Sequence, residues 1–437
     1  MESYNIVVVG AGISGLTAAY YLKKAGHRVT VLEANNTPGG RMVTINWQGF
    51  QIDPGASFLT SRDQFIFNLV EELGIRDQLV PFKKENVGFR VEIMRNDHQH
   101  NVNFMSLISY LQWSGVSMGA RLSMVKLLPH FWKYRNSDPY HPELAPGDDN
   151  ETMEEFFNKK IHQEMFDYWA QPTWDVMCSY LPGDYSGKML LLSYVSYLST
   201  KTYTFKKGIG YFPKLIANQL NIEYNAPVYH IEYTHGKPGA KVNYRSNGVE
   251  RKLDADLVVV SVPGDTVLNL FEAPQSAWKL FFPNVHYTSS AKLFMRVEGD
   301  DAALDRGGCF FPRKEPWKTS VIGWERQPDG NVRAMGALKA DYYRPELSDE
   351  EFTDIITKEA IRLEPAFKGR IKESLVFRWP RKVPTFRPGY LNALKAFKDD
   401  PQENPFYFCG DYLIMGSAGS AMASGWQCAE RINNPLH

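Results

Sequence analysis

Apolar residues fall into two patterns along this chain. Unbroken apolar runs occur at Ile6-Val7-Val8-Val9 and Leu257-Val258-Val259-Val260, with a shorter one at 406–409. Strands buried on both faces of a parallel sheet read this way, because neither face carries polar side chains. Longer stretches, with apolar positions three and four apart, predict helices over 13–24, 65–73, 152–169, 348–363 and 418–432. Gly26 and Gly74 stand where a helix C-terminus takes a left-handed residue. Residues 6–33 therefore read strand, helix, strand, a βαβ unit. Shorter strands are predicted around Val228, Val242 and Leu253, and over 292–297, 320–323 and 332–339. A glycine-containing turn and helix cover 206–220, and the prolines of 138–149 make that stretch a loop.

The three parallel-type strands lie far apart in sequence. They predict an α/β fold with one discontinuous Rossmann-like domain built from 1–60, 205–285 and 395–437. The inserts at 61–204 and 286–394 read as a mixed-sheet plus helical second domain. At roughly 150 residues per domain, 437 residues would make about three units; the discontinuity reduces this to two.

Composition narrows the partners. Lys plus Arg and Asp plus Glu both number 49, so the net charge is zero. Nucleic-acid readers carry a basic excess, so no nucleic-acid partner is expected. No run of about 18 apolar residues predicts a transmembrane helix. Four cysteines without CxxC spacing argue against a disulfide framework or zinc knuckle. With a start lacking a secretory pattern, they predict a cytoplasmic protein. His98 and His100 share one face of a strand, but no third ligand accompanies them, and no metal is expected. Aromatics reach 14%, enough to line an apolar or aromatic small-molecule pocket. The stretch 105–134 mixes Leu, Met, Trp and Phe with Arg121, Lys126 and Lys133. Peripheral membrane contact, a lid and helical core all fit it; base rates favour core. Nothing in the pattern assigns an oligomeric state.

Gly10-Ala11-Gly12-Ile13-Ser14-Gly15 forms a GxGxxG between the first strand and helix. Gly10 permits the tight turn, Gly12 lets a pyrophosphate approach the backbone, and Gly15 lets helix and strand pack closely. Glu33, followed by Ala34, closes the second strand, where a carboxylate accepts hydrogen bonds from ribose hydroxyls. Gly39, Gly40 and Arg41 offer two open amides and a guanidinium suited to phosphate or flavin contacts.

These motifs, with Gly410-Asp411 and Gly419-Ser420-Ala421 near the C-terminus, resemble the flavin-containing amine oxidase superfamily. That group includes monoamine and polyamine oxidases, L-amino-acid oxidases, protoporphyrinogen oxidases and phytoene desaturases. The resemblance runs the whole length and is most specific at the two ends. It implies FAD, with Gly10, Gly12, Gly15 and Glu33 on the adenosine diphosphate and Arg41 and Asp411 toward the phosphates and ribityl chain. It also implies that Pro54, Gly55, Ala56 and Ser57 pass the flavin edge and that the Val228 backbone meets the adenine. The helix begun by Gly419, Ser420 and Ala421 would face the pyrimidine end. Lys292, within Ala291-Lys292-Leu293-Phe294, is similar to the lysine that amine oxidases place near flavin N5. Tyr390 is expected to wall the substrate pocket. No cysteine precedes Tyr390, which implies non-covalent FAD. The segments around 155–184 and 378–390 are instead similar to the protoporphyrinogen oxidase and desaturase branch.

The implied activity is hydride transfer from a substrate carbon to flavin N5, in an amine or amino-acid oxidation with oxygen as acceptor. The absence of a second GxGxxG on a βαβ unit favours oxygen over a nicotinamide cofactor. Two alternatives remain: oxidation of a large porphyrinogen or polyene, and a flavin-free binding protein on the same fold, as in the GDP dissociation inhibitors.

Overall fold

The computed structural model describes residues 3–82, 90–103, 107–197, 200–234, 238–400 and 405–434. Its organising element is a five-stranded parallel sheet. In spatial order the strands are Asn221–Glu223, Arg28–Leu32, Asn5–Val9, Leu257–Val260 and Phe406–Phe408. The first βαβ unit and the two remote apolar runs thus pair directly, with Ile6 opposite Leu257 and Val258 opposite Phe406. The helices Ile13–Lys24 and Ala418–Asn433 pack together on one face, burying Leu16, Ala18, Met422 and Ala429. Their contact is close: a Cβ on Gly425 would lie 2.1 Å from the Ser14 carbonyl oxygen.

A three-stranded antiparallel sheet (Val228–Glu232, Ala240–Ser246, Val249–Ala255) precedes the Leu257–Val260 strand. The largest sheet has seven strands, in the order Ile371–Trp379, Ser290–Val297, Val332–Leu338, Thr319–Arg326, Arg306–Phe310, Arg90–Arg95 and His98–Asn103. It is antiparallel except where Arg306–Phe310 joins Arg90–Arg95. The helix Asp349–Leu363, opened by a capping box between Ser348 and Glu351, lays Phe352, Ile356 and Ala360 on it.

The helical region departs from the sequence pattern. The helix expected over 152–169 breaks at Ile161, whose φ and ψ are −114° and −107°. His162 then starts a new helix by accepting the Glu164 amide, so a competing side-chain cap ends the first one. Residues Phe166–Ala170 form a wider π-type turn, leading into a helix over Gln171–Cys178. A further helix, Gly187–Tyr197, escaped prediction because its residues are apolar almost all round and show no polar face.

Candidate cofactor and active site

The Gly10–Gly15 turn joins the central strand to its helix. Gly10 has φ +103°, and its N–H donates to the Leu32 carbonyl at 2.8 Å. A Cβ on Gly15 would stand 2.1 Å from the Gly10 oxygen, so helix and turn meet as the motif requires. Gly12, by contrast, faces open space, with no atom within 4 Å of a built Cβ. The helix it opens has no side-chain cap, which leaves first-turn amides for an anion. Ile13 and Ser14 are buried beneath, and the Ser14 hydroxyl meets that of Ser261 at 2.8 Å.

Glu33 is buried at the end of its strand. Its carboxylate accepts from the Ala11 amide at 2.6 Å, the Asn35 amide at 2.9 Å and Asn35 Nδ2 at 2.7 Å. A carboxylate has about four acceptor sites, so one remains for a hydroxyl. Ala34 beside it is exposed. The Ala226 amide donates to the Glu33 carbonyl at 2.8 Å, which brings Val228, two residues further on, toward the same end of the sheet. Gly39 donates to the Ala11 carbonyl at 2.8 Å, and Gly40 stacks over Gly12.

Arg41 and Asp411, 370 positions apart, form a two-pronged ion pair with both N–O distances 2.8 Å. Arg41 also donates to the Lys382 carbonyl at 3.1 Å and lies 5.5 Å from the Tyr287 ring centre. Burial opposes the Arg41 charge most strongly, but Asp411, Tyr287 and Asp265 together outweigh it and hold the guanidinium above its ordinary range. About a third of the Arg41 side chain stays open, with a side-chain exposure of 32%, so donors remain for a ligand. Gly410 donates to Ser424 on the C-terminal helix. Gly419, Ser420 and Ala421 form its buried first turn, where the Ser417 hydroxyl accepts the Ser420 amide.

The segment 54–57 runs between the two large sheets. Ala56 donates to the Arg41 carbonyl at 3.0 Å, and the Pro54 carbonyl accepts from the Trp379 indole at 3.0 Å. The Ser57 hydroxyl turns back on the Asp53 and Gly55 carbonyls. Lys292, on the Ser290–Val297 strand, donates from Nζ to the Gly55 carbonyl at 3.2 Å. Burial, then the neighbouring Lys382 ammonium, push its pKa down to about 7, against the pull of Asp53. The Asp53 carboxyl is raised by burial, although Thr44 and the Ile209 amide donate to it.

Lys382 is a residue that the sequence reading passed over. Its Nζ reaches the Ser179 hydroxyl at 2.9 Å and the Val176 carbonyl at 3.4 Å, and burial lowers its pKa. The signal was a lysine inside the Pro-flanked run Pro380-Arg381-Lys382-Val383-Pro384. Tyr390 sits apart from Lys292. Its ring packs in the core against Phe281 and Phe386, and its hydroxyl donates to the Tyr412 carbonyl at 2.8 Å. With 2% exposure it does not wall an open cavity. Aromatic side chains gather instead in the helical region, where Trp169 stacks on Tyr194 and Trp174 on Tyr185. His98 is exposed, and the His100 ring meets Trp113 edge-on.

The room beside Gly12, the spare acceptor on Glu33 and the open third of Arg41 together fit a dinucleotide laid across the C-terminal ends of the parallel strands. Fold and site define a dinucleotide-type α/β oxidoreductase with a second sheet bearing a lysine against it. The chain belongs to the family of flavin-containing amine oxidoreductases, whose model matches residues 13–433. It is an FAD-dependent oxidoreductase that oxidises an amine or related substrate.

Protoporphyrinogen oxidase 2, chloroplastic/mitochondrial, of Arabidopsis thaliana is 22% identical over 98% of this chain and 93% of its own. L-amino acid oxidase Cdc18 of Crotalus durissus cumanensis is 39% identical over 98% and 90%. The structure of cyclohexylamine oxidase from Brevibacterium oxydans superposes with a TM-score of 0.77 over 100% of both chains, at 16% identity.

Proposed function

We propose that the chain oxidises an amine or amino acid with oxygen as the electron acceptor, using non-covalently held FAD. In this reading residues 1–60, 205–285 and 395–437 hold the cofactor, and 61–204 and 286–394 hold the substrate. The observation that carries it is Lys292, a desolvated amine on the second sheet, 3.2 Å from the Gly55 carbonyl.

FAD, when bound, supplies the two-electron acceptor. The protein's own part is positioning and electrostatics. Glu33 takes a ribose hydroxyl, and the amides beside Gly12 take the phosphates. Asp411 fixes the Arg41 guanidinium in one orientation, which limits the entropy lost when it meets an anion. The Ala56 amide is held by the Arg41 carbonyl and the Pro54 carbonyl by the Trp379 indole, so the segment 54–57 presents a fixed edge. Lys292 is close to half protonated at neutral pH, so it can hold a water or give a proton to a developing anion without a large energetic cost. Tyr390 acts through packing.

A second reading, a large apolar substrate of porphyrinogen or polyene type, draws on the stacked aromatics of the helical region. A screen of amines, amino acids and porphyrinogens coupled to peroxide detection separates the two. Peroxide with an amine or amino acid supports the first; silence with all of them, and turnover of a porphyrinogen, refutes it.

A further inference from the structure

Among the described residues, seven of the fourteen exposed large apolar side chains fall between positions 108 and 132. They are carried by the helices Leu107–Gln112, Met118–Ser123 and Leu127–Tyr134 and by the 3-10 turn Met124–Lys126 that joins the last two. Met118, Leu122, Val125, Leu128 and Trp132 recur at spacings of three and four, and Trp132 is 68% exposed. The opposite stripe, Ala120, Met124, Leu127 and Tyr134, is buried in the main core. The segment 118–134 is therefore apolar on both sides: one side fixes it to the body, the other faces outward. A water-facing surface stripe is normally polar.

Charge indicates what covers the outer side. Residues 107–135 contain Arg121, Lys126, Lys133 and Arg135 and no acidic residue, in a chain of zero net charge. Lys126, Lys133 and Arg135 are exposed, and the Arg135 guanidinium lies 3.7 Å from the Trp132 ring centre. Of the carboxylates nearby, Glu164 is paired with Arg95 at 2.6 Å and Glu151 with Lys160, while Asp148 lies exposed at the Tyr134 end of the face. A second copy of the chain is a poor partner, because a two-fold interface would set these cations against themselves. No helix among the described residues is long and apolar enough to cross a bilayer.

We propose that this face lies in the surface of a bilayer containing anionic phospholipid. The apolar stripe enters the headgroup–acyl boundary while Lys126, Lys133 and Arg135 meet headgroup phosphates. The inference is independent of the substrate assigned above.

Flotation of the FAD-loaded protein with vesicles tests it, comparing phosphatidylcholine alone with phosphatidylcholine plus phosphatidylglycerol at low salt. Binding is expected on the anionic vesicles, falling as salt rises. Leu122→Ser with Trp132→Ser should lower the partition coefficient at least tenfold, and Lys126→Glu with Lys133→Glu by roughly fivefold or more per residue. Brominated acyl chains should quench part of the wild-type tryptophan fluorescence, and Trp132→Phe should remove that quenched part. This reading also holds the proposal to account should the doubly substituted proteins fold poorly. Absence of flotation and of quenching overturns the proposal. So does a dimer that the Leu122→Ser, Trp132→Ser protein cannot form, found without vesicle binding.

Discussion

Replacing Lys292 by Met removes a buried amine and leaves an unbranched apolar side chain one atom shorter. The folded pKa is about 7, against an ordinary 10.5. Below 10.5 the unfolded chain binds a proton that the folded chain takes up only near pH 7. Wild-type stability from this group therefore rises with pH between about 7 and 10.5, and the folded state bears a constant penalty below that window. Integrating between the two values gives a penalty of about 5 kcal/mol at pH 6, about 4 kcal/mol at pH 7 and about 1 kcal/mol at pH 9.5. Methionine bears none of it, but loses the hydrogen bond to the Gly55 carbonyl, about 1 kcal/mol at any pH. Lys292→Met should thus be the more stable protein at pH 6 and 7, by about 3 kcal/mol or somewhat more. The advantage should vanish toward pH 9.5. Thermal midpoints of both proteins, measured across this range with excess FAD, check the trend. In parallel, the substrate-reduced variant should react more slowly with oxygen while retaining FAD. A stability gap that does not change with pH would refute the desolvated amine. Unchanged oxygen kinetics would remove Lys292 from the reaction.

Glu33→Ala deletes the acceptor for the Ala11 and Asn35 amides and should weaken FAD retention by about 1–3 kcal/mol, roughly fivefold to 150-fold; full flavin occupancy after dialysis would contradict the ribose role. Gly425→Ala forces a methyl to within 2.1 Å of the Ser14 oxygen and should lower stability by about 2 kcal/mol, seen as a reduced thermal midpoint. Tyr390→Phe removes one buried donor to the Tyr412 carbonyl and should cost about 1 kcal/mol of stability with turnover unchanged; a large loss of turnover in a stable protein would return Tyr390 to the chemistry. Arg41→Lys cannot reproduce the two-pronged pair with Asp411 and should raise the dissociation constant for FAD, checked by titrating the cofactor into stripped protein.

Legibility in the sequence followed the reach of each interaction. The helix 13–24 was read to the residue and the strand after it was placed to end at Glu33, because the βαβ unit is built from neighbours and each boundary has its own local residue. One strand that depends on distant partners was missed: Arg306–Phe310 contains Gly307 and Gly308 and carries no apolar run. Yet a Cβ on Gly307 would stand 2.1 Å from the Trp324 ring, so glycine is present to admit that ring across the strand pair. The break at Ile161 turned on His162 capping the next helix, a choice between two local structures that periodicity does not weigh.

The same division holds for the site. By itself the sequence determined the parallel sheet's central strands, the phosphate turn and the position of Glu33, since each rests on one short run or on residues within about thirty positions of one another; the family likeness came from such local motifs at the two ends of the chain. Only the tertiary structure decided that Arg41 and Asp411 are one ion pair and that Lys292 meets Gly55. It alone placed Lys382 beside that lysine and drew Tyr390 into the core. These contacts join residues as much as 370 positions apart. Chain closure over such distances is set by which sheets and helices pack together, and no local pattern of apolar and polar residues encodes it.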